Sequence, residues 1–483
     1  MSGLDSMFNP ENIAVIGASN NESKAGSVII QNLLRKGYPY EIFPINPKKD
    51  KIHGLKTYKS ILDVENKIEL IVLVTPSSFI YEIMKEVDMR MSRKNDIKVI
   101  VCAAANYGET KTKEGIDRQN CLVDTAKKHG IRVVGPNCIG VIDNISKVDT
   151  TFVETSLSKE SKIRQGGISV ISQSGAIASI ILMEGDSTPE PIGFNKFISV
   201  GNMVDVDFID LLEYLETDET TKVIGMYMEG YPEAGKLIKL MSRIAKKKPI
   251  VVLKVGRSEK GASAANSHTG SLAGSDKVYD SAFKQFGIIR VDTVEELMDT
   301  LKAFDKLPLP KDENMFILSQ AGGPGIYCTD AVSKHKNIVM PKIEDKTKEK
   351  LEKLLPPMSA ICNPEGYADI TAAANVDQHV KALKYLLEDP NVSSVVLITI
   401  IPTFLPQVEL GNELRKMYIE EKYNTKKPVY FVIMAGDYVI SGRKALEKED
   451  IYSFKTPDRA VNAASNLIKY ADFIRKVKED TNE

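Results

Sequence analysis

Short apolar runs alternate with amphipathic stretches along the whole of this 483-residue chain. The runs NIAVIGA at 12–18, KVIGMYM at 222–228 and MFILS at 315–319 have the length and composition of buried strands. Stretches such as SVIIQNLLRK at 27–36 have the spacing of amphipathic helices. This alternation is typical of α/β folds, in which helices cover both faces of parallel sheets. The length predicts roughly three domains of about 150 residues each.

Changes in composition divide the alternating pattern into three consecutive parallel-sheet domains. The first extends over 1–145 and ends at a linker rich in Ser, Thr and Lys. The second is predicted over 160–306, and the proline-rich segment KLPLPKDEN follows it. The third is predicted over 312–478. Each domain is expected to open with a strand, a turn of small residues and a helix.

Charge and hydropathy exclude several classes of partner. The chain carries 64 basic and 65 acidic residues, and this balance predicts neither nucleic-acid nor membrane binding. The longest apolar run, VVLITIIPTFL at 395–405, is too short to cross a bilayer and contains a proline. The N-terminal MSGLDSMFNP lacks the basic and apolar regions of a secretory signal.

The cysteines are scattered and form no close pair along the sequence. An odd number without ligand spacing indicates reduced thiols rather than a disulfide framework. We therefore predict a cytoplasmic protein with no metal site of its own. The five are Cys102, Cys121, Cys138, Cys328 and Cys362.

Small-residue turns at the start of the three domains are candidate phosphate sites. They are GASNNESKAG at 17–26, SQSGA at 172–176 and SQAGGPG at 319–325. The N-terminus of a helix offers unpaired N–H groups and the positive end of the helix dipole, which suit phosphate. Gly and Ser also occur at such turns only to satisfy backbone geometry and cap helices. Three turns at equivalent positions favour at least one phosphate site.

The first turn departs from the fingerprint of dinucleotide-binding proteins. Its glycines are spaced too widely for G-x-G-x-x-G, and the second strand ends on Asn46, Pro47 and Lys48 rather than on an acidic residue. An acidic side chain there would bind a ribose diol, whereas lysine favours phosphate. Lys24 adds a cation within the turn. The pattern indicates coenzyme A rather than NAD.

The segment AANSHTGSLAGSD at 264–276 contains one of only five histidines in the chain. His268 has no neighbouring metal-ligand partner and no apolar neighbour, so an exposed loop residue without function is one interpretation. A phosphoryl-accepting nucleophile is the other, because neutral imidazole can attack phosphorus when a carboxylate holds its second nitrogen. Glu229 in YMEGYP is a candidate for that carboxylate, although a helix-capping role fits its position equally. Lys254, Arg257 and Lys260 supply cations to the same loop.

Taken in order, the motifs of this chain resemble those of the α subunit of nucleoside-diphosphate-forming acyl-CoA synthetases. This is the superfamily of succinyl-CoA synthetase, and the ADP-forming acetyl-CoA synthetase branch matches best. The resemblance extends over nearly the whole chain. The motifs are NIAVIGAS with Lys24, VGPNCIGV at 134–141, ISQSGAIA at 171–178, YMEG at 227–230, SHTGSLAGSD at 267–276 and SQAGGPG at 319–325.

The resemblance implies a Rossmann-like CoA-binding domain followed by two flavodoxin-like domains. It also implies the reaction acyl-CoA + phosphate + ADP ⇌ free acid + CoA + ATP, which proceeds through acyl phosphate and a phosphohistidine at His268 with Glu229 as its hydrogen-bond partner. The implied phosphate-binding residues are Gln173, Ser174, Gly175, Ala176, Gly322 and Gly323. The implied coenzyme A-binding residues are Gly17, Ala18, Ser19, Lys24, Asn46, Pro47, Lys48, Thr75, Pro76 and Asn137.

Two features differ from a complete enzyme of this family. No segment resembles an ATP-grasp domain, so ADP/ATP and Mg²⁺ are expected mainly on a separate β subunit, in a heterotetramer of two α and two β chains. The aspartate of the family's NPxD-like segment is displaced to Asp369 in NPEGYADIT at 363–371. A separate ADP site also requires phosphoryl transport. We hypothesise that a glycine-containing arm of about ten residues swings His268 over about 30 Å.

Two other functions compete with the ligase interpretation. One is a non-catalytic CoA-binding regulatory or scaffold protein of the same fold, which would have no need of His268, Glu229 and QSGA together. The other is a nicotinamide-dependent oxidoreductase, against which Asn46 and the lysines after it argue.

Overall fold

The computed structural model describes residues 3–153, 164–186, 192–263, 276–400, 404–448 and 451–482. The chain forms two compact units: an N-terminal unit, which ends at Phe283, and a C-terminal unit, which begins at Lys284. The division into three domains stays a prediction. The loop predicted to carry His268 lies outside the described residues.

The first sheet of the N-terminal unit contains five parallel strands, all of them strongly apolar. In spatial order they are Ile42–Ile45, Ile13–Ile16, Leu70–Leu73, Val99–Cys102 and Arg132–Val134. The strand order reverses at Ile13–Ile16, because the strands that follow it along the chain lie on both of its sides. Ligands of open α/β sheets bind at such a reversal, beyond the carboxyl ends of the strands.

A second sheet in the same unit is built around the strand Arg164–Ser172. In spatial order its members include Ile250–Lys254, Val223–Met228, Arg164–Ser172, Gly193–Ser199, Val141–Asp143 and Val148–Asp149. The first four are parallel, and the last two pair antiparallel. The last three strands were not predicted from the sequence. Two of them are too short to show a period, and Gly193–Ser199, with the sequence GFNKFIS, mixes polar with apolar residues.

Helices cover both sheets, as the amphipathic stretches predict. Lys36, Lys94 and Lys128 end three of them, and their charge suits the negative end of a helix dipole. The helices of this unit are Asp5–Phe8, Ala25–Lys36, Ile80–Lys94, Lys113–Lys128, Gly175–Asp186, Phe208–Thr217, Ala234–Ala245 and Asp276–Gln285. A small hairpin of Lys51–Ile52 and Leu55–Lys56 follows the second strand.

The C-terminal unit contains a six-stranded, mostly parallel sheet. In spatial order its strands are Ala360–Ile361, Tyr367–Asp369, Met315–Ser319, Ser394–Thr399, Val429–Ile433 and Ser453–Phe454. Alternate residues of its central strands enter two separate apolar cores, one on each face. Burial on both faces explains why these strands are continuous apolar runs.

Helices cover both faces of the sheet in the C-terminal unit. The C-terminal helix continues through the charged last residues as far as Asn482. The unit also contains the strand Ile289–Val291. Its helices are Val294–Lys306, Gly322–Ser333, Asp345–Leu354, Val376–Glu388, Gln407–Glu420, Ile440–Leu446 and Pro457–Asn482. Over the described ranges, no helix combines the length and apolar character that a membrane span requires.

Candidate active site

The first glycine turn closes tightly onto the helix that follows it. Gly17 has φ +97°, and its N–H donates to the carbonyl of Ile45 over 3.2 Å. A Cβ on Gly26 would lie 2.2 Å from the Gly17 carbonyl oxygen, so only glycine allows the helix this close to the strand. A Cβ on Gly17 would lie 3.0 Å from Thr75 Cγ2, at the point of strand-order reversal. The helix start is thereby placed beyond the carboxyl ends of two adjacent strands.

The polar residues predicted to bind coenzyme A lie around this turn. The Asn46 amide donates to the Ala18 carbonyl over 2.8 Å, and the Asn46 side-chain oxygen accepts from the Lys48 N–H over 2.9 Å. Ser19 Oγ accepts from the N–H of Asn21. Lys24 occupies the N-cap of Ala25–Lys36 without a side-chain capping hydrogen bond. Both lysines are exposed.

Three other predicted residues complete this edge of the first sheet. Thr75 and Pro76 directly follow the strand Leu70–Leu73. Asn137 has φ +59°, and its N–H donates to the Ala104 carbonyl just beyond Val99–Cys102. The predicted coenzyme A set is therefore distributed along the carboxyl edge of one sheet. Pro47 lies in the same edge loop, between Asn46 and Lys48.

The second turn joins the strand Arg164–Ser172 to the helix Gly175–Asp186. Ser174 Oγ accepts from the N–H of Ile177 over 3.3 Å, which is a capping contact. A Cβ on Gly175 would lie 3.0 Å from Ile139 Cγ2, and Ala176 is exposed in the first turn of the helix. The turn therefore presents a helix start at the carboxyl edge of the second sheet.

Gln173 connects this turn to Glu229. The Gln173 side chain is buried, and its Oε1 accepts from the N–H of Glu229 over 2.8 Å and from the N–H of Gly230 over 3.3 Å. Glu229 is only 7% exposed. Burial, together with the charge of Glu229, raises the pKa of Tyr227 to about 12. The structure thus places the main chain of the predicted glutamate directly beside the predicted phosphate-binding turn.

The position of Lys254 differs from the prediction. It was expected to be a cation of the histidine loop, but it is the last residue of the buried strand Ile250–Lys254 and is 1% exposed. Its Nζ donates to the carbonyls of Glu229 and Val255 over 2.8 and 2.5 Å. Arg257 and Lys260 remain in the segment after the strand. His268 lies outside the described residues.

The third turn repeats the second within the C-terminal unit. Gln320 is fully buried, and its Oε1 accepts from the N–H of Ile400 over 3.1 Å. The helix Gly322–Ser333 begins there without a side-chain cap. A Cβ on Gly322 would lie 3.2 Å from Asp369 Oδ2, whereas one on Gly323 would meet nothing within 4 Å. The displaced aspartate of NPEGYADIT therefore lies beside the start of this helix, a placement that the sequence left open.

The described ranges contain no group of three His, Cys, Asp or Glu side chains that could hold a metal ion. All five cysteines are free thiols. The carboxyl edges of the two sheets in the N-terminal unit thus contain the polar residues predicted to bind coenzyme A, and Glu229 next to the turn predicted to bind phosphate.

Profiles of two protein families match this chain. The family described as "CoA binding domain" matches residues 11–144, and the "Succinyl-CoA ligase like flavodoxin domain" matches residues 165–304. The class of protein is therefore that of succinyl-CoA ligase-like proteins with an N-terminal CoA-binding domain.

Relatives that match nearly the whole of this chain define the family within this class. The chain is 36% identical to "Acetate--CoA ligase [ADP-forming] II subunit alpha" of Pyrococcus furiosus, over 97% of this chain and 98% of that one. It is 34% identical to "4-hydroxybutyrate--CoA ligase [ADP-forming]" of Nitrosopumilus maritimus, over 97% of this chain and 64% of the relative. The solved structure titled "Ca. Korarchaeum cryptofilum dinucleotide forming Acetyl-coenzyme A synthetase 1 in complex with phosphate and ADP" matches with a TM-score of 0.86. That match has 32% identity and covers 99% of both chains. The chain belongs to the family of ADP-forming acetate–CoA ligase α subunits.

Proposed function

We propose that this chain is the α subunit of an ADP-forming acyl-CoA ligase, which interconverts acyl-CoA, phosphate and ADP with a free carboxylic acid, CoA and ATP. The observation that carries the proposal is that Glu229 is buried and that its main-chain N–H is bound by Gln173 of the turn. A carboxylate held next to a helix start can orient a phosphoryl-accepting imidazole while the helix start binds the phosphate. A protein that only binds CoA has no need of this pairing.

The first sheet fits coenzyme A as a substrate. A Cβ on Gly26 would collide with the main chain of Gly17, so glycine lets the helix start lie close to the strand end. A pyrophosphate can bind at this helix start. Lys24 and Lys48 supply positive charge without an acidic residue at the second strand, which suits a phosphorylated ribose. Thr75 and Asn137 lie along the same carboxyl edge of the sheet. When bound, acyl-CoA supplies the reactive thioester.

The proposed chemistry proceeds in three balanced displacements. A phosphate oxygen attacks the thioester carbonyl carbon, and the CoA thiolate leaves, which gives acyl phosphate. A ring nitrogen of His268 attacks phosphorus, and the carboxylate of the free acid leaves. A β-phosphate oxygen of ADP then attacks the phosphohistidine, and the imidazole leaves. Gln173, Ser174, Gly175 and Ala176 form the helix start that binds the phosphoryl group, and Glu229 orients His268.

The helix start at Gly322 and Gly323 is proposed as a further phosphoryl-binding turn. The ADP site, with Mg²⁺, is proposed to lie on a separate ATP-grasp β subunit. In support, this chain covers only 64% of the length of the relative from Nitrosopumilus maritimus, so about a third of that relative lies outside the match. An assembly of two α and two β chains in the cytoplasm completes the proposal.

The test is direct detection of the phosphoenzyme. The chain is incubated with β subunit, Mg²⁺, phosphate and acyl-CoA, without ADP, and intact mass is recorded before and after acid treatment. Acetyl-CoA, 4-hydroxybutyryl-CoA and an aryl-CoA test the acid. We expect acid-labile phosphate on the wild type and none on His268→Asn. CoA binding without phosphorylation with any of these substrates would contradict the ligase and support the scaffold function.

A further inference from the structure

The main chain of Glu229 is anchored on both of its sides. Its N–H donates to Gln173 Oε1 over 2.8 Å, and its carbonyl accepts from Lys254 Nζ over 2.8 Å. The main-chain N–H and carbonyl of Glu229 are therefore both bound by other side chains, and its own side chain projects from this anchored main chain. Glu229 directly follows the strand Val223–Met228, and Lys254 ends the neighbouring strand.

Burial of the Lys254 charge has to be compensated by its contacts. A lysine that is 1% exposed has lost nearly all hydration of its ammonium group, which is costly unless the group is hydrogen-bonded. The carbonyls of Glu229 and Val255 compensate for part of this loss, at 2.8 and 2.5 Å. A methionine would fill the same volume without that cost. The charge thus has a use that packing alone does not require.

The third contact of Lys254 is the face of Tyr279. The ammonium nitrogen lies 5.3 Å from the ring centroid, within the range of a cation–π interaction. Tyr279 is itself buried, and its hydroxyl has no hydrogen-bond partner within the described ranges, so the ring rather than the hydroxyl contributes to this contact. Tyr279 belongs to the helix Asp276–Gln285, which begins immediately after the segment that contains His268.

We propose that Lys254 is a positioning residue for phosphoryl transfer. Through hydrogen bonds it fixes the carbonyl of Glu229, and through Tyr279 it ties that strand end to the helix that follows the His268 loop. The main chain of Glu229 and the helix Asp276–Gln285 are therefore both held by one buried charge. The inference rests on the proposed function and adds to it a residue that orders the catalytic pair without touching the substrate.

A purely structural role is the competing explanation, and the chain offers a matched control. Lys302 is a second buried lysine, and its ammonium group lies 4.1 Å from the centroid of the Tyr452 ring in the C-terminal unit. Burial lowers the pKa of Lys302 to about 8. The charged groups that act on it include Asp299 and Glu447, neither of which belongs to the candidate site. Its replacement therefore reports the general cost of removing a buried lysine.

The experiment compares Lys254→Met with Lys302→Met in the assembled α and β enzyme. Three quantities are measured: the rate of His268 phosphorylation, the Kd of CoA and the Tm. For Lys254→Met we expect phosphorylation to slow by about 100-fold, because a misplacement of about 1 Å costs that much, while the Kd of CoA stays within twofold. For Lys302→Met we expect a lower Tm and a phosphorylation rate close to that of the wild type.

A second pair keeps the proposal testable if Lys254→Met does not fold. Tyr279→Phe retains the ring face and is expected to phosphorylate faster than Tyr279→Leu by about tenfold, in line with a cation–π contact of about 1–2 kcal/mol. Equal rates for these two variants, or a wild-type rate for Lys254→Met, would overturn the positioning role. A wild type that is never phosphorylated would instead overturn the proposed function itself.

Discussion

The turns at Ser172–Ala176 and Ser319–Gly323 have the same construction but different neighbours. In each, a serine hydroxyl donates to the carbonyl two residues on, and a buried glutamine accepts an N–H from the adjacent strand end. At the first turn that N–H belongs to Glu229, whereas at the second it belongs to Ile400. Both turns therefore supply a helix start, and the residue that the neighbouring strand places beside each turn differs.

The carboxylates of the two turns also differ in placement. Glu229 is buried and follows Val223–Met228, the strand whose end donates an N–H to Gln173. Asp369 instead ends Tyr367–Asp369, a strand that lies on the opposite side of Met315–Ser319 from the strand end that donates to Gln320. Asp369 lies beside Gly322. Asp369 Oδ1 accepts from the N–H of Thr371 over 2.8 Å. At the second turn a carboxylate oxygen lies beside the helix start itself and already provides negative charge there, whereas Glu229 binds Gln173 of the first turn through its main-chain N–H. We therefore expect the first turn to bind phosphate more strongly than the second.

The largest effect is expected for Glu229→Gln. The hydrogen bonds to Gln173 and Lys254 use the main chain of Glu229 and remain, so the loss isolates the charge. Phosphorylation of His268 should slow by on the order of 10²–10⁴-fold, as measured by intact mass over time. Asp369→Asn is the matched change at the other turn and should cost less. An equal or greater loss for Asp369→Asn would contradict the assignment of Glu229.

A smaller effect is expected for matched changes of the two glutamines. Gln173→Leu leaves two N–H groups without their acceptor and should cost about 1–3 kcal/mol of unfolding free energy, with slower phosphorylation. Gln320→Leu also removes a buried Nε2 that has no partner within the described part of the chain, so its cost should be lower by about 1 kcal/mol. Denaturant unfolding measures both. A larger loss for Gln320→Leu would contradict this reading of the two turns.

Acid should destabilise the C-terminal unit through His379. This side chain is fully buried, its Nε2 has no hydrogen-bond partner among the residues that the structure describes, and burial lowers its pKa. The unfolded chain therefore binds a proton that the folded unit resists, and stability falls as the pH drops below the unfolded value of about 6.5. His379→Leu should flatten the dependence of the Tm on pH between about 7 and 5. An unchanged slope would contradict it.

The smallest effect is expected for Gly323→Ala, which makes the second turn resemble the first, where Ala176 stands. A Cβ there meets nothing within 4 Å. Alanine in the first turn of a helix should stabilise the C-terminal unit by about 0.5–1 kcal/mol relative to glycine. Thermal unfolding measures the change. As the control, Gly26→Ala places a Cβ 2.2 Å from the Gly17 carbonyl oxygen and should destabilise the N-terminal unit.

Much of the fold could be predicted because both faces of its sheets are buried. Strands such as Met315–Ser319 and Val223–Met228 are continuous apolar runs for that reason, and the helices between them show a clear period. The antiparallel pair Val141–Asp143 and Val148–Asp149 could not be predicted, since two or three residues show no period. Its partner Gly193–Ser199 has polar residues at buried positions, including Asn195 and Lys196.

The sequence by itself determined the classes of residue predicted for the site: glycine turns, lysines without an acidic partner, one glutamate after a strand and one histidine in a polar segment. Only the tertiary structure decided which of the described ones lie together. Parallel strands bring their carboxyl ends to a common edge, so Gln173, Glu229 and Lys254, distant in sequence, meet through main-chain hydrogen bonds. The position of Lys254 in the sequence predicts a loop cation. In the structure its ammonium group is buried, because the carbonyl oxygens of Glu229 and Val255 accept hydrogen bonds from it.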